Sequence, residues 1–476
     1  MSRSFPNNIT SKTNFFQMKR ILLLILSIIL LSQGIAFSQQ KDWSLEDCIR
    51  YAIDNNIQIK QQGIQTEYQK NALELAKLRL LPSVNGSASH NYSFGRALDE
   101  TTYQYTDNQT VQSNNFYVGA SLNLFNGLIN YNTIKRSNYD VLSSQEDLNN
   151  FRDNIALTVA MDYLQILLNK ELVTATKNQL EITRQQIEKT QKLVDAGSVA
   201  RGSLLQIEAQ AANEELQLIN IENQLETSIL NITQLLELKT PEGFQVFVPD
   251  IALDTNTLVT GNINEIYEVA VGTRPEIKSS QYKLIASEYD LKIAQGGRSP
   301  RLSMNNSFST GYSDIRKKLL GIDPVTLQPN YGKYSFSDQV NDNINYGIGF
   351  SLNIPILNGW QVNKNIANSR LAIQNSEYAL EGTKKTLYKN IQKAYTDAVA
   401  AMKKYNASTK AVVSTQESFR YTEQKFNVGM VTPVDYNAAK TQLLNAQSDM
   451  SQSKYEFIFK TKVLDFYKGI PLNLNN

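Results

Sequence analysis

The chain repeats itself, and this constrains its fold more than any single motif. Displacing the sequence by 218 residues sets Ala52 on Ala270, Ile59 on Ile277, Lys60 on Lys278, Ala76 on Ala294 and Pro82 on Pro300. Displacing it by 232 sets Asn126-Gly127 on Asn358-Gly359, Tyr163 on Tyr395, Thr190 on Thr422, Gly197 on Gly429, Val199 on Val431 and Gln210 on Gln442. Chance supplies an identity at about one position in fifteen to twenty, so ordered matches at turn-forming residues mark a duplication. The registers differ by 14 residues, an insertion in the second copy between Pro300 and Asn358.

Each copy reads as helix, strand pair, long helix, tight turn and return helix. The first copy occupies 39–238 and the second 263–476, with a linker at 239–262. Opening helices over 44–80 and 263–296 stop at Pro82 and Pro300, which cannot continue a helix. The strand pairs lie within 83–125 and 301–357. In them Phe116, Val118, Ala120, Leu122 and Leu124 alternate with Tyr117, Gly119, Ser121 and Asn123. The second copy alternates Ile348, Phe350, Leu352 and Ile354 with Gly347, Gly349, Ser351 and Asn353. Period-2 alternation gives a sheet one apolar face and one polar face. Here the polar face is Ser, Asn and Gly with scarcely a charge. Strands of about ten residues with apolar-out, polar-in alternation match a membrane barrel, and Phe116, Val118, Leu122, Leu124, Ile348, Phe350, Leu352 and Ile354 are its lipid-facing candidates. Four strands cannot close a pore, so a barrel requires several chains.

The helices are the larger part. Within 128–194, Val159, Ile166, Val173, Leu180, Ile187 and Val194 recur every seven residues, a coiled-coil seam. Three positions further stand Asp162, Asn169, Thr176, Thr183 and Thr190. A narrow apolar stripe beside a polar one predicts a helix packed sideways on its neighbours with water on another side, as in a tube wall. The return helix 203–238 shows the same spacing at Leu204, Ala211, Leu218, Leu225 and Ile232. The second copy places its long helix at 360–428 and its return helix at 435–468. Some 67 residues of helix span about 100 Å, longer than compact domains use.

The turns between long and return helices run through Gly197-Ser198-Val199 and through Gly429-Met430-Val431-Thr432-Pro433. Glycine there supplies a left-handed C-cap, and Ser203 and Asp435 are placed to cap the following helices. Valines at matching tips are not needed for capping and point to a docking surface.

Residues 21–32, ILLLILSIILLS, follow Lys19-Arg20 and precede Gly34, Ala36 and Ser38. This reads as a secretory signal peptide over 1–38, cleaved after Ser38, with Met18 an alternative start. Cys48 does not directly follow the small residues, so lipid anchoring is unsupported. A mean hydropathy of -0.35 argues against several helical spans. With 47 Lys+Arg against 45 Asp+Glu the balance is not that of a nucleic-acid binder. One Cys and one His, His90, cannot build a zinc site or a histidine-based catalytic centre. No enzyme and no cofactor are expected.

The signal segment, the tandem copies, the junctions Leu124-Phe125-Asn126-Gly127 and Ile356-Leu357-Asn358-Gly359, Tyr163 and Tyr395 in the long helices, and the tip motifs together resemble the TolC family of outer-membrane efflux proteins over about residues 42–472. Tyr92-Ser93-Phe94-Gly95-Arg96-Ala97-Leu98-Asp99 is similar to Bacteroidetes-type members. The resemblance implies a mainly α chain with a membrane β-barrel contribution: long antiparallel coiled-coil-like helices forming a periplasmic tunnel, and four strands per chain in a 12-stranded barrel shared by a homotrimer. It further implies outer-membrane lipid around the barrel, loops 95–114 and 313–343 outside the cell, and the segment around Pro241, Phe244, Val246 and Val248 in a belt at mid-tunnel. The tips would meet a periplasmic adaptor (membrane fusion) protein coupled to an inner-membrane pump, and the chain would be a passive exit duct for efflux or type I secretion. Acidic residues near the tip gate such tunnels. Glu417 and Glu423 lie there, but Arg420 and Lys425 are interleaved, and surface ion pairing explains them equally well. The rival class is a soluble periplasmic coiled-coil adaptor or scaffold. The cargo, whether drug, metal ion or polypeptide, is not written in these residues.

Overall fold

The computed structural model describes residues 42–99, 103–249 and 262–474. The expected leader at 1–38 and residues 250–261 of the expected linker lie outside them.

The first copy runs through β1 (Asp42–Trp43), α1 (Leu45–Asn55), α2 (Ile57–Leu78), β2 (Ser83–Gly95), the short strands β3 (Leu98–Asp99) and β4 (Gln104–Tyr105), β5 (Gln109–Phe125), α3 (Ile129–Asp195), α4 (Arg201–Leu235) and β6 (Gln245–Val246). The second runs through α5 (Ile263–Thr273), α6 (Pro275–Gly296), β7 (Arg301–Ser313), β8 (Lys317–Ile322), β9 (Pro329–Lys333), α7 (Phe336–Asp342), β10 (Asn345–Asn353), α8 (Gln361–Asn427) and α9 (Pro433–Tyr467). Equivalent helices have equal lengths. Both α3 and α8 have 67 residues, and both α4 and α9 have 35.

Each opening helix is in fact two helices, broken at Asn56 and at Arg274, positions related by the 218-residue displacement. At the first break the Asn56 carboxamide caps α2, accepting from Gln58 N and Ile59 N, and donates to Leu235 O at 3.0 Å. The break therefore receives the end of α4, and α1, α2 and α4 all pack on α3. At the second break Pro275 opens α6. The buried Arg274 guanidinium reaches Asp153 (3.1 Å) and Glu276 (3.3 Å) and covers the Phe466 ring at 4.1 Å. The signal missed in the sequence is Arg274-Pro275, because proline favours the first helical position.

The densest core lies at mid-length of α3, where Val159, Tyr163, Ile166 and Leu167 pack on Cys48 and Ala52 of α1 and on Ile232, Leu236, Phe244 and Val246. The Tyr163 hydroxyl donates to Phe247 O at 2.6 Å and lies 3.1 Å from Trp43 O. It thereby pins the parallel pair β1–β6 to the long helix. The heptad seam Val159, Ile166, Val173 and Leu180 is buried, but so is the polar stripe expected to face water: Asn169, Thr176, Thr183 and Thr190 are all buried. Asn169 and Thr183 find partners on the return helix. Asn169, for example, donates to Gln224 O (3.1 Å) and Ser228 Oγ (3.3 Å). Small polar side chains let α4 approach closely and satisfy each other, which the spacing alone does not reveal.

Four strands form one antiparallel sheet in the order β10-β7-β5-β2, with β5–β7 joining the two copies. Opposite residues share a face, so the pairings Phe116↔Thr310, Val118↔Phe308, Leu122↔Met304 and Phe350↔Met304 assemble the apolar face. Two expected lipid-facing residues shift. A bulge between Asn123 and Phe125 makes Leu124 the extra residue and puts Phe125, opposite Leu302, in its place. Ile354 lies one residue beyond β10. The first of the expected loops is shorter, because β5 begins at Gln109, and the second, 313–343, is not a plain loop but carries the hairpin β8–β9 and α7.

Candidate functional site

The polar face of the sheet is built from the odd-numbered positions of β2, β5, β7 and β10. Ser87, Tyr117, Ser309 and Asn345 make one row across all four strands. Along the odd-numbered positions of these strands the one charged side chain is Arg301, at the helix end of β7. A surface of hydroxyls, amides and glycines holds water without fixing a charge of either sign. His90 lies on the other face, its ring bonded to Asn114 and edge-on to Tyr92 at 4.7 Å. Among the described residues no group of three His, Cys, Asp or Glu could hold a metal ion.

The sheet passes to the long helices through left-handed pairs, Gly127-Leu128 (φ 68 and 63) and Gly359-Trp360 (φ 60 and 62). Gly127 is also required for space: a β-carbon there would lie 2.5 Å from Gly296 O and 2.6 Å from Ser299 Cβ. The first copy's junction is thus seated on the end of the second copy's α6.

At the far end the tips close identically. Gly197 N donates to Val194 O (2.9 Å) and Ser198 N to Leu193 O (2.9 Å). Gly429 N donates to Phe426 O (3.0 Å) and Met430 N to Lys425 O (2.8 Å). This is a Schellman closure with glycine at φ 72 and φ 77. The caps that follow differ. Thr432 is the N-cap of α9, in a reciprocal capping box with Asp435 at the third helical position. Ala200 is the N-cap of α4 and makes no side-chain bond, while Ser203 sits at the third position without capping. Val199 and Val431 are half-buried rather than exposed. The apolar groups presented at the second tip are Val428, Met430 and Val434. Lys189 reaches Asn427 across the two tips at 3.0 Å.

Behind the tips Tyr436 stacks on Phe426 at 4.5 Å and touches Phe419 at 5.4 Å. Burial, with Glu423 and Glu214 nearby, pushes its hydroxyl up to about 12. One turn on, the buried Lys440 ammonium donates to the Thr183 hydroxyl, which donates to Glu214. Lys440 lies 3.7 Å from Glu214 Oε1, and Gln210 donates to the same oxygen at 3.0 Å. Burial lowers the Lys440 pKa against the opposing pull of Glu214. This cluster ties α9 to α3 and α4, and sequence reasoning missed it. Glu417 is bonded to Arg420 at 2.5 Å on an exposed face of α8. Six residues along a helix turn Glu423 to another side, so the structure does not bring the two acids together.

A family model described as "Outer membrane efflux protein" matches residues 48–237 and 266–458, one segment per copy. The chain belongs to the outer membrane efflux protein family. This efflux protein is 22% identical over 461 residues to "Outer membrane protein TolC" of Salmonella enteritidis, covering 95% of this chain and 87% of that protein. It is 20% identical over 453 residues to "Proteases secretion protein PrtF" of Dickeya chrysanthemi, covering 93% and 90%. Among solved structures, the Campylobacter jejuni CmeC outer membrane channel superposes with a TM-score of 0.71 at 17% identity, covering 93% of this chain and 92% of that one. The efflux protein is therefore an outer-membrane exit duct whose helices reach into the periplasm. No helix among its described residues is long and apolar enough to cross a membrane.

Proposed function

We propose that three copies of this efflux protein close one barrel and one tunnel, and that the assembly passively conducts substrate handed over at the tips by a periplasmic adaptor and an inner-membrane pump. One observation carries the assembly: contacts made inside the chain from first copy to second have vacant counterparts on its flanks. Tyr139 of α3 packs on Tyr282 and Tyr289 of α6 at 6.1 and 5.7 Å. The duplication maps Tyr139 onto Leu371 and Tyr282 onto Ile64, and both are exposed. Likewise Gly127 is seated on Gly296, whereas nothing lies within 4 Å of a β-carbon at Gly359. The α6 end maps onto Leu78–Leu81, where Leu78, Leu80 and Leu81 are exposed. The sheet has the same open form, with β2 and β10 at its edges. A second copy supplies every missing half. Two copies would give eight strands, whose interior side chains fill, whereas twelve leave a lumen for the uncharged polar face.

Ile64→Cys with Leu371→Cys tests this directly, since Cys48 is buried. A short bismaleimide should link chains into a covalent species of three. Monomer alone, with the protein correctly inserted, would sink the closed assembly.

The tips are the docking surface in this reading: Gly197, Ser198 and Val199 on one, and Gly429, Met430, Val431, Thr432 and Pro433 on the other. Their Schellman glycines keep the turns small, and Val428, Met430 and Val434 offer apolar contact beside them. Rigid, matched turns at the ends of helices about 100 Å long suit a partner that binds end-on. The segment around Phe244 and Val246, pinned by Tyr163, serves as the belt at mid-tunnel.

A further inference from the structure

The loop enlarged by the second copy's insertion folds toward the lipid side of the sheet. Gln339 of α7 is fully buried, donates to Ser313 O at 2.9 Å and accepts from Ser313 N at 3.0 Å. Thr310 donates to Val340 O at 2.6 Å, and Asn343 to Gly311 O at 2.7 Å. The Phe336 ring lies 5.1 Å from that of Tyr312 and 6.4 Å from that of Phe116. Phe116, Thr310 and Tyr312 belong to the face that carries Val118 and Phe308. Helix α7 therefore covers the outer end of the apolar face, starting one row beyond the Val118–Phe308 pair.

The hairpin β8–β9 precedes it with Leu319, Leu320, Ile322, Val325 and Leu327 exposed, the last two at 89% and 76%. An isolated two-stranded hairpin is marginal in water, and so contiguous an apolar surface calls for a cover. The register sets Lys317 directly opposite Lys333, with Lys318 beside them and its ammonium 5.6 Å from the centre of the Tyr334 ring. Three lysines thus cluster at the open end of the hairpin, and such a cluster attracts an anionic surface.

We infer that the hairpin 317–333 is an interfacial anchor. It lies on the outer leaflet with its apolar side chains at the boundary between headgroups and acyl chains, and Lys317, Lys318 and Lys333 meet phosphate groups of lipid headgroups. The hairpin leads within three residues into α7, which is seated on the apolar face of the sheet, and this favours lipid over a protein partner. Apolar side chains mixed with lysines and with Tyr331 and Tyr334 are the composition of a membrane interface. The three lysines complement phosphate. The inference rests on the lipid-facing assignment of the strands, and the experiment separates the two.

A nitroxide on Val325→Cys, and a control nitroxide on Phe350→Cys, would be placed in the full chain reconstituted in nanodiscs. The discs would be phosphatidylcholine alone, or phosphatidylcholine mixed with a bis-phosphorylated glycolipid. The expected result is a label at 325 that is accessible to oxygen and shielded from an aqueous nickel chelate. In the phosphate-bearing discs, replacing Lys317, Lys318 and Lys333 by Gln should shift the hairpin toward water by about fivefold for each lysine removed. A water-exposed label at 325 with the 350 label in lipid overturns the anchor. So does shielding at 325 that comes with spin–spin broadening between assemblies, which would make a second copy the cover. A water-exposed label at 350 overturns the lipid-facing assignment and the anchor with it.

Discussion

Lys440 illustrates how one residue ties the two copies together. Its ammonium is buried between α9, α3 and α4, with the Thr183 hydroxyl relaying it to Glu214. Removing one partner of such a pair leaves an unpaired charge out of water, at a cost of about 3–5 kcal/mol. Lys440→Met should therefore destabilise the helical domain by about that much in urea unfolding of the detergent-solubilised protein, and the double variant Lys440→Met with Glu214→Leu should recover most of the loss. Tyr436 gives a pH signature in the same region. Its folded pKa is raised from 10.0 to about 12, so the unfolded chain ionises first. Stability present below pH 10 is lost as the pH rises to about 12, by at most about 2–3 kcal/mol. Lys440, with a lowered pKa, acts in the opposite direction over alkaline pH. Comparing the wild type with Tyr436→Phe isolates the tyrosine: the variant should lose less stability between pH 10 and 12, and identical slopes would exclude the assignment.

Among elements, the two tip hairpins share a glycine closure but not a helix start. Thr432 and Asp435 satisfy each other's backbone donors, whereas Ala200 supplies nothing at the equivalent place. Thr432→Ala should cost about 1 kcal/mol, Ser203→Ala should be close to neutral, and Ala200→Ser should stabilise α4 by a comparable amount. Hydrogen exchange of the first-turn amides of α4 and α9 reads all three. The glycine turns, the heptad seam and the strand alternation are legible in the sequence because each is fixed by neighbours within about seven residues. The bulge at Leu124 is not, since it depends on how β5 meets β7 nearly two hundred residues away. The break at Asn56 is likewise hidden, because Leu235 completes it from far along the chain, whereas Arg274-Pro275 marks the second break locally even though Asp153 and Phe466 complete it.

For the whole molecule, the proposed assembly takes the open edges of the sheet and the exposed Ile64 and Leu371 as the two halves of one interface. Its mid-length core and its paired hairpins make a rigid strut, so a change confined to the tips should leave assembly intact while breaking the handover. Gly429→Arg with Val431→Asp is expected to abolish export, measured as cargo released to the medium, with unchanged yield of the bismaleimide-linked species. Normal export from that variant would remove the docking role of the tips.

The sequence alone determined the duplication, the uncharged polar face opposed to an apolar one, and the long helices closed by glycine turns. These are periodic or local patterns, and the chemistry that enforces them lies within one turn or one strand. Tertiary structure decided which polar residues are buried, which residue takes the place of Leu124 on the apolar face, where the opening helices break and to which side of the sheet the segment 313–343 folds. Each of these depends on a partner far away in the chain, as with Lys440 and Thr183 at 257 residues' separation. A buried threonine beside its partner and a threonine facing water occupy the same heptad position, and only packing tells them apart.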